Sequence, residues 1–174
     1  MHVRSEKGSA VTAVVIAAAM VLLVILPVFS VVIEKFILTG KAKIIRDAAD
    51  MANISVYNAL NAENLGRVAV SFNREEMLGL FRELLSDNLR LDEELKPKDG
   101  SIAEGQVIIN SLEIYCKDLP ARCPDETLIE RPSVHSCICI PIKPSLYSGV
   151  VLKLLGRDTI IVKVHVDSEI PLNN

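Results

Sequence analysis

The stretch "EKGSAVTAVVIAAAMVLLVILPVFSVVIEKF", Glu6 to Phe36, decides how this chain is organised. It holds an uncharged run of 25 residues from Ser9 to Ile33, which as a helix spans roughly 37 Å and can cross a hydrocarbon core of about 30 Å with some tilt. A secretory signal has an apolar region of only about 7–15 residues ending in a small-residue cleavage site, whereas the small residues here lie mid-run. The pattern therefore predicts a retained transmembrane helix over residues 9–33, kinked at Pro27, with residues 1–8 as a short tail or leader.

The rest of the chain has the length and composition of one domain. A chain of 174 residues leaves room for a single core once the membrane run is set aside. The net charge is −3 with acidic and basic residues interspersed, which argues against a nucleic-acid partner. There is no tryptophan and aromatic residues make up 4%, so an aliphatic core without an aromatic ligand pocket is predicted.

The orientation of the chain in the membrane depends on two opposing signals. Arg4 and Lys7 precede the run, and more basic residues follow it, so the positive-inside rule alone would leave the bulk of the chain in the cytoplasm. All four cysteines lie beyond the run, and cysteine-rich segments favour an oxidising compartment outside the cytoplasm. We adopt the second orientation as the prediction.

A helical pattern continues past the membrane run, from Lys41 to Leu60. Glycine in a helix interior costs about 1 kcal/mol, so Thr39–Gly40 is the predicted break. Small residues recur beyond it at spacings of four, three and four, on one stripe where another backbone can approach closely. This assembly stripe consists of Ala48, Ala52, Ser55 and Ala59. We predict that the stripe packs against a partner helix or against the chain's own sheet; the alternative is that alanine is simply a good helix former.

The N-terminal half resembles a known family. "GSAVTAVVIAAAMVLLVILPVFSVVIEKF" followed by "KAKIIRDAADMANISVYNAL" resembles the TadE/TadG-like proteins of the tight-adherence (Flp) pilus system. In that family a basic residue and a glycine precede the membrane helix, and an AAD-A-(small)-AL signature follows it. The matching residues here are Ala48, Ala49, Asp50, Ala52, Ala59 and Leu60.

The C-terminal part also resembles that family. "ICIPIKPSLYSGVVLKLLGRDTIIVKVHVDS" is similar to its closing pattern of strand, proline-containing link, short helix and final strand. The resemblance implies a pilin-like membrane helix, an extracytoplasmic domain, and partners among pilus or secretion-apparatus subunits, with a homo-oligomer as one form of assembly.

One departure from the family bears on processing. Family members carry a glutamate at the fifth position after a glycine that a prepilin peptidase cleaves, and here that position is Ala13. A buried glutamate in a pilin helix can be neutralised by a neighbouring amino terminus, and alanine cannot make that pair. Cleavage between Gly8 and Ser9 is therefore a weaker expectation than a membrane-retained accessory role.

The remaining segments predict an α+β domain. A second amphipathic helix follows, with Met77 and Phe81 on its apolar face, and ends before Pro97. Strand patterns cover "QVIINSLEIY", "SVHSCICIPI" and "DTIIVKVHVDS", with a short crossover helix between the last two. An antiparallel sheet packed on helices is expected, with residues 34–100 as its helical region and 101–174 as its sheet region. In the last strand His165 and Asp167 fall on the face predicted to be wet.

The cysteines are candidates for disulfides. Cys137 and Cys139 point the same way about 6–7 Å apart on one strand, whereas bonded Cβ atoms lie about 3.8 Å apart, so they should not pair with each other. Two bridges would join Cys116 to Cys137 and Cys123 to Cys139, or Cys116 to Cys139 and Cys123 to Cys137. A single Cys116–Cys123 bridge and reduced structural thiols are the alternatives.

A zinc site is the sharper alternative for the same residues. His135, Cys137 and Cys139 project from one strand face, and Cys116 or Cys123 could complete a tetrahedron. Three ligands spread over about 13 Å of strand cannot all reach one ion without a bend, so no metal and no other cofactor is predicted.

No catalytic motif is present in the sequence. The predicted function is therefore a non-enzymatic, membrane-anchored, minor pseudopilin-like accessory component of a tight-adherence pilus or related secretion apparatus. The alternative is a membrane-tethered sensor or ligand-binding module.

Overall fold

The computed structural model describes residues 6–64, 74–116, 118–124 and 126–170. It confirms the α+β class, with a long apolar N-terminal helix and a small antiparallel sheet. The elements in chain order are α1 (Glu6–Met20), a π-helical segment (Val21–Ile25), α2 (Leu26–Asn64), α3 (Arg74–Leu89), β1 (Ile108–Tyr115), β2 (Ala121–Arg122), β3 (Leu128–Ile129), β4 (Ser133–Ile142), α4 (Leu146–Leu154) and β5 (Ile160–Glu169).

The N-terminal helical run is the one helix, among the described residues, that is long and apolar enough to cross a membrane. Pro27 lies just after the π-helical segment, in which the Leu26 N–H bonds to the Val21 carbonyl five residues back. Proline lacks an N–H and its ring collides with the carbonyl four residues earlier, and a wider turn in front of it gives the ring more room. Helix α1 begins at Glu6, so Gly8 and Ser9 belong to it, while their side chains lie outside the described residues.

The predicted helix break at Thr39–Gly40 is wrong. Helix α2 runs without interruption from Leu26 to Asn64. A cost of about 1 kcal/mol for one interior glycine is small against the hydrogen bonds of a helix of 39 residues. Space around Gly40 is open, since an added Cβ would meet no atom within 4 Å.

The chain divides into two compact units. The helical unit consists of Met1–Thr39 and Pro144–Asp158, and the sheet unit of Gly40–Lys143 and Thr159–Asn174. This division differs from the predicted ranges, because residues 34–39 and the segment that contains α4 group with the N-terminal helix.

The three-stranded sheet has the order β1-β4-β5, and both pairs are antiparallel. Strand β4 is central, which explains why most of its residues are buried. A bulge interrupts β1 between Ile109 and Ser111, so Asn110 is an extra residue with no partner in the ladder. Because β4 and β5 are antiparallel neighbours, α4 lies within a hairpin connection, and the prediction that it forms a crossover is wrong. Strands β2 and β3 form a separate two-stranded hairpin.

The core of the sheet unit lies between α2 and one face of the sheet. Ala49, Ala52 and Val56 are fully buried on α2. On the same helix Asn53 donates to the Val134 carbonyl at 3.3 Å and to Ser168 Oγ at 3.0 Å. Ser168 Oγ in turn donates to the carboxylate of Asp50. These bonds join the helix to β4 and β5.

Helix α3 contributes a second buried face, as its sequence predicts. Met77, Phe81, Leu85 and Leu89 are buried. The helix ends at Leu89, before Pro97 as predicted, because Arg90 takes a positive φ of 55°. The Leu91 N–H then bonds to the Ser86 carbonyl at 2.8 Å, which is the main bond of a Schellman ending.

Candidate functional site

The functional candidates lie on the sheet face opposite α2. Side chains alternate along a strand, so if Val134 and Ser168 face the helix, His135 and Asp167 face the other way. His135 pairs directly with Asp167 across β4 and β5, and Cys137 pairs with His165. In an antiparallel pair such opposite residues share one face, so the register brings these four side chains together.

The segment that follows β2 supplies one more group. Cys123 comes directly after β2 and is 4% exposed. Its N–H bonds to the Thr127 carbonyl, and its own carbonyl accepts from Glu126 N–H at 2.9 Å. These bonds fix the turn, and the Cys123 thiol lies 3.9 Å from His165 Nε2.

Cys123, His135, His165 and Asp167 form what we call the Cys–His cluster. One ligand atom each from Cys123, His135 and His165 lies within 4.8 Å of the others. Nδ1 of His135 lies 3.0 Å from Nε2 of His165 and 2.8 Å from Asp167 Oδ1. Nε2 of His165 lies 2.9 Å from Asp167 Oδ2. The side chain of His135 is fully buried, and those of His165 and Asp167 are 23% and 28% exposed.

Residues of β1 surround the cluster. The Oγ of Ser111 lies 3.2 Å from Nε2 of His135. The ring of Tyr115 packs edge-on against the His135 ring, with centroids 6.0 Å apart. Its hydroxyl donates to Glu113 Oε2 at 2.6 Å. Burial, followed by this bond and the negative charge of Glu113, raises the pKa of Tyr115, so this hydroxyl holds its proton.

A surface cavity of about 420 Å³ opens beside the cluster. Its lining includes Leu128 of β3, Glu130 directly after β3, and Asp167 and Glu169 of β5. Asp167 therefore belongs both to the cluster and to the cavity wall.

The prediction of disulfides between the cysteines does not match the structure. Within the part of the chain that the structure describes, no disulfide joins the four cysteines. Cys116 is exposed, Cys123 and Cys137 are buried, and Cys139 is half-buried. The side-chain amide of Asn110, on the β1 bulge, donates to Cys139 Sγ at 3.2 Å.

The predicted assembly stripe lies mostly inside the protein. Ala48 is 6% exposed, Ala52 is fully buried and Ser55 is half-buried, while the side chain of Ala59 lies outside the described residues. Packing within the sheet unit therefore accounts for the small residues of the stripe, because a small side chain lets the helix backbone approach the sheet.

Sequence reasoning missed His165 and Asp167, which it assigned to solvent. The expectation of a solvated His165 is wrong, because its ring lies between Cys123, His135 and Asp167. A partial signal was present, since His135 and Cys137 on one strand and His165 and Asp167 on the next have the same two-residue spacing. Only the strand register shows that the two pairs are opposite each other.

Comparison with known proteins gives no relative for this chain. No family model matches it, and no match was found among curated proteins or solved structures. The resemblance to TadE/TadG-like proteins therefore stays a prediction, and the function is argued from the geometry.

Proposed function

We propose that the chain is a single-pass membrane protein whose C-terminal domain lies outside the cytoplasm. In this proposal it is a non-enzymatic, minor pseudopilin-like accessory component of a tight-adherence pilus or a related secretion apparatus. The long apolar helix supports the anchor, since Val15, Leu22 and Phe29 expose about 60% of their surface, which is favourable in lipid and costly in water.

The observation that carries the assembly proposal is a second face of α2. Within the sheet unit the helix buries its small residues, yet Ile44, Met51 and Ile54 expose 55%, 59% and 41% of their surface. Spacings of seven and three residues place these three side chains on one side of a helix. An exposed apolar stripe on a helix that begins as the anchor suits contact with a helix of another subunit. In this proposal, assembly through Ile44, Met51 and Ile54 replaces assembly through the buried alanines.

Photocrosslinking in cells tests the assembly proposal. A photoreactive amino acid at Met51 should crosslink to a pilus or secretion-apparatus subunit, or to a second copy of this chain. The matched control is Arg82, which is exposed on α3, and it should give no such product. The proposal fails if the products from the two positions are the same.

Cys116 provides the test of sidedness, because it is the exposed cysteine. A membrane-impermeant thiol reagent should label intact cells at this residue, after reduction if the thiol is oxidised there, and Cys116→Ser should lose the label. Labelling that requires lysed cells would place the domain in the cytoplasm. That result would contradict the proposed extracytoplasmic role, while the proposal of a membrane anchor would stand.

A second candidate is a membrane-tethered sensor or ligand-binding module. The Cys–His cluster favours it, because three side chains that can bind a ligand converge on one point and Asp167 beside them also lines a surface cavity. This candidate is supported over the first if zinc changes a measurable response of the cells and His165→Gln abolishes that response. The crosslinks at Met51 should be unchanged in the same variant.

A further inference from the structure

We propose that the Cys–His cluster binds one zinc ion, with Cys123 Sγ, His135 Nδ1, His165 Nε2 and an Asp167 carboxylate oxygen as ligands. In a tetrahedral zinc site with bonds of about 2.0–2.3 Å, neighbouring nitrogen and oxygen ligands lie about 3.3 Å apart and sulfur lies about 3.5–3.8 Å from nitrogen. The two nitrogens are 3.0 Å apart, each lies 2.8 or 2.9 Å from a different oxygen of Asp167, and Cys123 Sγ lies 3.9 Å from His165 Nε2. Each of these separations lies within about half an ångström of the tetrahedral value, and the ligand atoms of Cys123, His135 and His165 all lie within 4.8 Å of one another. The carboxylate of Asp167 must turn to direct one oxygen at an ion held by these three side chains.

Hydrogen bonding alone satisfies this arrangement poorly. Nδ1 of His135 and Nε2 of His165 face each other at 3.0 Å and both face the carboxylate of Asp167. If both nitrogens carry protons, each N–H can donate to its own oxygen of Asp167, but the two N–H groups are then only 3.0 Å apart. If one proton is missing, a lone pair faces a carboxylate. A cation between the three groups accepts all of these lone pairs at once.

The second ring nitrogen of His135 has a partner that suits metal binding. With Nε2–H donating to Ser111 Oγ at 3.2 Å, the proton stays on Nε2 and Nδ1 keeps its lone pair. Metal-bound histidines are commonly held this way, and the outer hydrogen bond orients the ring.

The ligand chemistry selects the metal. Thiolate and imidazole ligands favour zinc and similar transition metals over calcium or magnesium, which prefer oxygen. One thiolate and one carboxylate cancel the charge of Zn²⁺, so the buried site is neutral overall. Four protein ligands leave no open position, which is typical of structural zinc. The ion would join the turn after β2 to β4 and β5, whether or not the chain takes part in an assembly.

Cobalt substitution of the full-length chain in detergent tests the site. The reduced, chelator-treated protein should bind one equivalent of Co²⁺, with the visible bands of tetrahedral cobalt and a sulfur-to-cobalt charge-transfer band, and Zn²⁺ should displace it. Cys123→Ser should lose the charge-transfer band, and His165→Gln the tetrahedral bands. Ser111→Ala should weaken binding about 10–100-fold.

Cys139→Ser and Cys116→Ser are the matched controls and should keep the spectrum. Circular dichroism of each variant checks that it is folded. Absence of stoichiometric Co²⁺ binding by the folded wild-type chain overturns the proposal, as does a folded Cys123→Ser that keeps the charge-transfer band. Loss of that band in folded Cys139→Ser would point instead to the ligand set on β4. None of these results bears on assembly, which the crosslinks at Met51 report.

A separate observation in the helical unit supports a second inference. Glu34, the first charged residue after the apolar run, is 3% exposed. Its carboxylate accepts from the Ser145 N–H at 2.8 Å and from Ser145 Oγ. Ser145 directly precedes α4, and a carboxylate is favourable at a helix N-terminus. The start of α4 is thus fixed at the end of the apolar run.

We infer that α4 lies in the lipid headgroup region of the membrane that the apolar run crosses. Val150, Leu154 and Leu155 expose 57%, 83% and 70% of their surface, while Lys153 and Arg157 supply positive charge beside them. Apolar side chains with flanking basic residues are typical of helices that lie at the interface and contact anionic lipids. Continuity with the apolar run identifies the occupant of this face as lipid.

A tryptophan reporter tests this placement, because the chain has none. Leu154→Trp in the full-length chain, reconstituted in vesicles with brominated anionic lipid, should be quenched by bromine near the headgroups and shielded from acrylamide. Phe29→Trp is the positive control and should be quenched by bromine deep in the acyl chains. Quenching of the Leu154→Trp fluorescence by acrylamide with no effect of bromine overturns the inference.

Discussion

The two ends of helix α2 carry similar side chains in opposite surroundings. Before Glu34, Phe29 and Val31 expose 61% and 58% of their surface, whereas beyond Gly40, Ile45 and Val56 are completely buried. The sheet accounts for the buried end, since Asn53 bonds to β4 and β5. Apolar content alone would not distinguish an anchor from a core helix, and the difference in exposure supports the proposed anchor.

The largest expected effect comes from charging the exposed end. Arginine near the centre of a membrane helix costs about 2.5–3.5 kcal/mol per residue, so Leu22→Arg with Ile25→Arg should release the chain from membranes. Extraction with alkaline carbonate measures this. Leu22→Ala with Ile25→Ala is the control and should stay in the membrane pellet. Equal retention of both variants would mean that the run is not in lipid.

A matched pair of phenylalanines compares the two surroundings directly. Phe81 is fully buried, and Phe81→Ala should lower the free energy of unfolding of the sheet unit by about 3–5 kcal/mol. Phe29→Ala removes the same atoms from a side chain that is 61% exposed, so the sheet unit should unfold as in wild type. Thermal unfolding in detergent, followed by circular dichroism, measures both. Equal destabilisation of the sheet unit by Phe29→Ala and Phe81→Ala would contradict the difference in surroundings.

The polar link between helix and sheet should have an intermediate effect. Asp50→Ala leaves the buried Ser168 hydroxyl without its acceptor, which should cost about 1–3 kcal/mol of stability. Asp47 is exposed one turn earlier on the same helix, and Asp47→Ala should change stability by no more than about 0.5 kcal/mol. Denaturant titration separates the two, and equal values would exclude Asp50 from the packing.

The smallest effect is expected at Gly40, which lies inside the uninterrupted helix α2. Gly40→Ala fills open space in a helix interior, so it should stabilise the helix by about 0.5–1 kcal/mol. Proteolysis at residues near 40 should slow accordingly. Faster cleavage would show that the chain needs flexibility at this position.

Much of the fold could be predicted from the sequence because its signals are local. The uncharged run, the apolar face of α3 and the alternation in β5 each depend on a period read along the chain. The break at Gly40 was wrong because a single propensity was weighed without the long helix around it. The stripe through Ala48 and Ala52 was found, but its packing inside the sheet unit depends on tertiary contacts.

The candidate site could be predicted only in part. His135 and Cys123 were recognised as candidate zinc ligands, but they were combined with Cys137 and Cys139, their neighbours in sequence. The observed cluster uses His165 and Asp167 because β4 and β5 pair with His135 opposite Asp167. Register and the position of a two-residue strand are non-local properties, which periodicity does not determine.

In the proposed arrangement, lipid surrounds the first part of the N-terminal helical run and protein surrounds the second part of α2. A photoactivated carbene reagent that partitions into bilayers tests this on the unaltered full-length chain in membranes, with labelled residues mapped by mass spectrometry. Labelling should fall on the apolar run that ends at Ile33 and spare the buried positions from Ile45 to Val56. A run that takes up no label, or equal labelling of both parts, would contradict the account.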